Sequence, residues 1–151
     1  QDNFYVSQFL DGEGKKVVCG GTSSQIVSRV LGKPLKTSFD FPDKDVPPIG
    51  HIDGIDLTTE GVLTLRRLLM LSEKYLSVTD LSPKSYNRKD GASLLANILF
   101  EEATDVNFYV GQSVNVAHQS LPIDITMKLK LVETLTGNLR KMGKHVNVNY
   151  D

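Results

Sequence analysis

Val17-Val18-Cys19-Gly20-Gly21-Thr22-Ser23-Ser24 reads as a strand that runs into a tight turn and then a helix, and the rest of the chain is arranged around it. Two β-branched residues favour extended backbone, and paired glycines let the chain leave the strand sharply. Thr22, Ser23 or Ser24 then offers a side-chain oxygen to cap a helix beginning near Gln25. Such a turn leaves free N–H groups at the positive end of a helix, which favours an anion. Taken alone it is more simply a capped bend, because short glycine turns before helices are common in α/β proteins.

Outward from this unit, Phe4, Tyr5, Phe9 and Leu10 fall at helical spacing and predict a leading helix, ended by Gly12 and Gly14. Residues 1–14 are thus expected to be a leading helix and linker, and 15–151 a single α/β domain. After the first helix (Ile26, Val27, Val30, Leu31), a second strand is predicted over Leu35 to Phe41, its alternation that of an edge strand with one wet face. Pro42 to Gly50 holds a Pro-Pro pair and reads as a rigid loop. A third strand is expected over Ile52 to Leu57, then a helix carrying Val62, Leu65, Leu68, Leu69 and Leu76. A helix from about Asp90 (Ala92, Leu95, Ile98, Leu99), a strand over Asp105 to Val110, a long helix over Ile125 to Lys141 and a last strand over Val146 to Tyr150 complete the pattern. Strands alternating with helices predict an α/β fold: a mainly parallel sheet of about five strands with helices on both faces, a Rossmann-like three-layer arrangement. Only between the second and third strands is there no crossover helix, so that pair is expected to be antiparallel or non-adjacent.

Composition narrows the function. The 151 residues suit one domain, and at this size about two-thirds of the unfolded chain's surface is buried on folding. With 17 basic against 18 acidic residues there is no overall field to draw in nucleic acid or an anionic membrane, so neither is an expected partner. One cysteine excludes an internal disulfide framework, and no signal peptide or membrane-length apolar run is visible. The expected location is the cytoplasm. A start at Gln1 suits a processed product or a piece of a longer protein.

Three polar loops are expected to gather at the carboxyl ends of the strands, where open α/β sheets bind ligands. They contribute Gly20, Gly21, Thr22, Ser23 and Ser24; Thr58, Thr59, Glu60 and Gly61; and Gly111, Gln112, Asn115 and His118. Thr58 or Thr59 is read as the cap of the following helix. Asp40 lies where an acidic residue could grip a ribose, but Gly20-Gly21-Thr22 is not G-x-G-x-x-G, and no P-loop lysine follows. Asp53 and Asp56, three apart in a predicted strand, point to opposite faces, and no His or Cys cluster accompanies them to hold a metal. Cys19 reads as a small core residue, and His118 as a donor in the crevice.

Four words are familiar when read together: Gly14-Lys15-Lys16-Val17-Val18-Cys19-Gly20-Gly21-Thr22; Val46-Pro47-Pro48-Ile49-Gly50; Gly54-Ile55-Asp56-Leu57-Thr58-Thr59-Glu60-Gly61-Val62-Leu63-Thr64-Leu65; and Val110-Gly111-Gln112-Ser113-Val114-Asn115-Val116-Ala117-His118-Gln119. Over nearly the whole chain they resemble the C-terminal region of bacterial SpoIIE family serine/threonine phosphatases of the metal-dependent PPM type. The resemblance implies that catalysis belongs to an upstream phosphatase module using Mn or Mg to activate water. No Asp-Gly-Met-Gly-like or Gly-Asp-Asp-type motif occurs here, so no catalytic residue or metal ligand carries over, and no cofactor is assigned to this domain. What is implied is an accessory domain whose partners are that upstream module and a small anionic ligand or phosphoprotein. The expected function is therefore a noncatalytic sensor or interaction domain binding at the strand carboxyl ends. Its rival is an independent small hydrolase or transferase using Thr22, Ser23, Glu60 and His118.

Overall fold

A computed structural model describes residues 2–37, 49–59, 61–77, 90–111 and 122–150. The chain begins with α1 (Asp2–Asp11), β1 (Val17–Cys19), α2 (Gly21–Leu31) and β2 (Lys36–Thr37). Next come β3 (Gly50–His51), β4 (Leu57–Thr59), α3 (Val62–Ser77) and α4 (Gly91–Ala96), which runs on into a π-helical segment (Asn97–Glu102). The described elements end with β5 (Asp105–Val110), α5 (Pro122–Lys141) and β6 (His145–Tyr150).

These strands do not form the expected single sheet of about five mainly parallel strands. They form a mixed four-stranded sheet in the order β1-β4-β3-β2 and a separate parallel pair, β5-β6. β1 runs parallel to β4, whereas β3 is antiparallel to both β4 and β2. Part of the cause lies in Ile52 to Asp56, predicted as strand but folded as a turn: Ile55 N–H donates to the Ile52 carbonyl at 3.0 Å, and Gly54 sits at φ 95°. A turn this short joins antiparallel neighbours, since a parallel connection needs a crossover of a dozen or more residues. Asp56, placed in the turn, accepts from Lys16 N–H at 2.6 Å and so pins the entrance to β1. The other part of the cause is that, among the described residues, β1 and β5 end their respective sheets without pairing with each other, and a cleft lies between them.

The alternation of β1 divides the interior. Val18 joins a small core with Val6, Val27 and Ile52 under α1 and α2, while Val17 and Cys19 pack against the larger core built by α3, α4, α5 and β5-β6. In that larger core Leu68, Leu135 and Leu139 have no solvent exposure, each contributing about 1.5–3 kcal/mol through burial. A polar strut crosses it: Asn138 Nδ2 donates to Ser72 Oγ at 2.9 Å, which donates to the Leu69 carbonyl at 2.6 Å. α4 starts where expected, because the buried Asp90 carboxylate accepts from Ser93 N–H at 2.9 Å and Ser93 Oγ at 3.0 Å. Its π-helical continuation closes with Ala103 N–H donating to the Ile98 carbonyl at 2.9 Å. Lys144 Nζ then satisfies the Phe100 and Ala103 carbonyls at 2.9 and 2.6 Å. No helix among the described residues is long and apolar enough to cross a membrane.

Candidate functional site

Because β1 and β4 are parallel neighbours, the helices that follow them start side by side. α2 begins directly after Gly20, which leaves the strand at φ 115° and ψ 142°, a conformation close to glycine's own. Gly20 N–H donates to the Thr59 carbonyl at 2.8 Å. α3 begins after Gly61, and the two turns meet backbone to backbone: a Cβ on Gly61 would lie 3.3 Å from the Gly20 Cα. Two of the three predicted loops thus do converge.

The roles of their hydroxyls differ from expectation. No side chain caps α2 at Gly20. Instead Ser24, 2 % exposed, donates its hydroxyl to the Gly20 carbonyl at 2.7 Å, the same oxygen that accepts Ser24 N–H at 2.9 Å. Thr58 and Thr59 are not helix caps either. Both are buried inside β4, where alternation sends them to opposite faces, and Thr58 Oγ1 is buried without a hydrogen-bond partner among the described residues. The side chains of Gly21's neighbour Thr22 and the residues Glu60, Gln112, Asn115 and His118 lie outside the described residues, so the catalytic alternative of Thr22, Ser23, Glu60 and His118 is not traced as a unit.

A cleft of about 910 Å³ opens between β1 and β5. Its size and mostly apolar walls are those of a ligand site. On one side it is covered by α1, whose Tyr5 and Phe9 rings meet Tyr109 edge-on, with centroids 5.7 and 5.8 Å away. On the other side lie Leu68, Leu99 and Val132 of the larger core. At the amino ends of the strands Lys15 and Glu102 are joined by a 2.6 Å salt bridge, and that bond raises the Lys15 pKa. At the carboxyl ends Cys19, Ser23 and Gly111 all line the cleft.

The same end holds a cation that the sequence reading missed. Lys128 of α5 lines the cleft half-buried, and its ammonium donates to the Gly111 carbonyl at 3.3 Å. Burial holds its pKa below the ordinary lysine value, an effect that neighbouring Cys19 opposes. The clue was in the spacing: Lys128 continues the stripe of Val132, Leu135 and Leu139 by one further step of four, a buried-face position for a charged residue. An ammonium in apolar surroundings attracts an anion more strongly than one in water, and an incoming anion would move its pKa back up toward the ordinary lysine value. Among the described residues no three His, Cys, Asp or Glu side chains gather as a metal site. No protein-family model, curated protein or solved structure matches the chain.

Proposed function

We propose that the chain is a noncatalytic sensor or interaction domain of a SpoIIE-type serine/threonine phosphatase, and that it binds an anionic group at the carboxyl ends of β1 and β5. The observation that carries the binding half is Lys128, whose ammonium enters an otherwise largely apolar cleft beside Cys19, Ser23 and Gly111. The first turn of α2 starts at the same end and adds N–H groups of the sign an anion needs. The four sequence words support the phosphatase half, and the cytoplasm is the compartment where such a module would work.

Thermal-shift titration tests the binding half with a panel of inorganic phosphate, ATP, a phosphoserine peptide and a peptide with a free C-terminal carboxylate. At one hundred times its dissociation constant a bound probe stabilises by about 2.7 kcal/mol, which moves the midpoint by roughly 5–10 °C in a chain of this size. At least one probe is expected to do so, and Lys128→Met to abolish the shift. If no probe acts, or the variant responds as the native chain does, the binding reading fails. The phosphatase half is tested in the full-length protein: Lys128→Met should change how dephosphorylation responds to the active probe, and an unchanged response refutes it.

A further inference from the structure

The charged side chains that line the cleft divide by end. Glu13, Lys15, Lys16 and Glu102 precede β1 or β5 and Asp105 opens β5, so three acids and two bases share the amino end. Lys15 and Glu102 are paired there at 2.6 Å, both about half exposed. At the carboxyl end Lys128 is the one charged side chain that lines the cleft among the described residues, and its contact with the Gly111 carbonyl at 3.3 Å engages one of its three donors. The helices add apolar wall: Phe9 of α1, Ile26 of α2, Leu68 of α3 and Val132 of α5, with Ile98 from the π-helical segment. One space of about 910 Å³ thus combines a wet mouth of mixed charge, apolar walls and, at the far end, a cation.

We infer that the ligand of this cleft is an amphipathic monocarboxylate, with its carboxylate on Lys128 and a straight aliphatic chain laid along β1 and β5 beneath α1. This rests on reading the carboxyl end of the cleft as an anion site, and it names the class of anion. Charge sets the head group: one ammonium balances one carboxylate, whereas a phosphate or nucleotide brings more charge than that and little apolar surface for the walls. Charge also sets the direction. Acids outnumber bases at the amino end, so the anion is drawn to Lys128 and the tail points away from it. The walls set the tail, because each methylene moved out of water onto them strengthens binding about fourfold. β5 has six residues, about 20 Å of strand. An extended chain advances about 1.2 Å per bond, the step of a peptide backbone, so with a hydrogen bond of about 2.8 Å at the head about a dozen carbons reach from Lys128 to the charged mouth. Longer chains would meet the Lys15–Glu102 pair and water, where further methylenes add nothing. A flexible chain of this kind makes no demand on the backbone groups of either strand and bends to the width it finds.

The probes are hexanoate, octanoate, decanoate, dodecanoate and tetradecanoate, titrated calorimetrically at neutral pH, each below its micelle-forming concentration. Binding should be one-to-one, tighten about fourfold per methylene up to dodecanoate and level off at tetradecanoate. Decanoate should bind roughly tenfold tighter than decylammonium or 1-decanol, and Lys128→Met should erase that preference. Nuclear Overhauser effects from the ligand's methylenes should reach the rings of Phe9 and Tyr109, which line the cleft. Affinity independent of chain length, equal binding of decanoate and decylammonium, or a preference that survives Lys128→Met overturns the inference. So do Overhauser effects confined to exposed side chains such as Phe4 and Met70. If phosphate or the carboxylate peptide shifts the midpoint through Lys128 while no alkanoate binds, the aliphatic ligand falls and the anion site stands. If neither the alkanoates nor that panel bind, both fall.

Discussion

Gly91, the first residue of α4, faces Thr59 of β4 so closely that an added Cβ would lie 2.9 Å from the threonine Cγ2 and 3.4 Å from its Cβ. The pair is a direct probe of how α4 seats on the central sheet. Gly91→Ala forces an overpacked contact costing about 1–3 kcal/mol, offset by up to about 1 kcal/mol of helix propensity, for a net loss of about 1–2 kcal/mol. Thr59, 4 % exposed, can lose the offending methyl and keep its hydroxyl as serine, at a cost of about 1 kcal/mol for the vacated space. In the double variant the new methyl fills the space that the old one leaves, so stability returns close to the starting value and the two changes couple by about 2–3 kcal/mol. Urea unfolding followed by circular dichroism is the assay, since the chain has no tryptophan, and midpoints are comparable only if the slope is constant across the cycle. Additivity within about 0.5 kcal/mol would refute the contact.

Glycines in different settings should respond with opposite signs. Gly20→Ala places a side chain at φ 115° and is expected to cost about 1–3 kcal/mol, whereas Gly137→Ala, in α5 with no atom within 4 Å of the new Cβ, should gain up to about 1 kcal/mol; thermal melts that rank them the other way would sink this reading of the Gly20 turn. Asp90→Ala removes two accepted hydrogen bonds at a buried cap and should lower the melting midpoint by roughly 4–8 °C, about 2 kcal/mol, while Asp90→Asn keeps one acceptor and should lose less; equal losses would argue against the cap. For Lys128 the sign follows from linkage. Its folded pKa is lowered by burial below 10.5, so between the two values the unfolded chain holds more protons and stability rises with pH through that window. Lys128→Met should therefore be more stable than the native chain at neutral pH by a margin that narrows toward about pH 10.5, and a margin independent of pH would exclude a buried ammonium.

Much of the chain could be read from pattern alone where the pattern was long. β5 falls on Asp105 to Val110 as expected, and α5 and β6 differ from expectation only at their first residues. Ile52 to Leu57 misled because a short alternation of Ile and Asp suits either a strand or a turn, and what decides is a Gly54 backbone angle and an Asp56-to-Lys16 hydrogen bond across forty positions. The sheet division was hidden for a related reason: alternation tells which face a residue takes, not which strand lies beside it. Gly20, Gly61 and Gly111 do fall just outside strands or helices, as their turn chemistry implied. Thr58 and Thr59 were misplaced because a hydroxyl before a helix resembles a cap even when the strand has not ended. Lys128 was passed over because a lysine in a long amphipathic helix ordinarily belongs to the wet face.

Tyr5 donates its hydroxyl to the carbonyl of Asn149, 144 positions away, with the Val110 carbonyl 3.5 Å off, while Val6 on the same helix sits in the small core. In kinetic terms α1 is a closing step. Contacts that span nearly the whole chain carry large loop-closure entropy, so the hold of α1 on the far side of the cleft is expected to form after its local contacts with α2. Undocking α1 should be a partial opening that costs less than unfolding the α3-α5 core and uncovers the cleft while the strands on either side stay folded. Native-state hydrogen exchange would register this as α1 amides exchanging at lower free energy than those of α3. The rate at which a ligand enters would then be set by the first eleven residues, and not by the walls it finally touches.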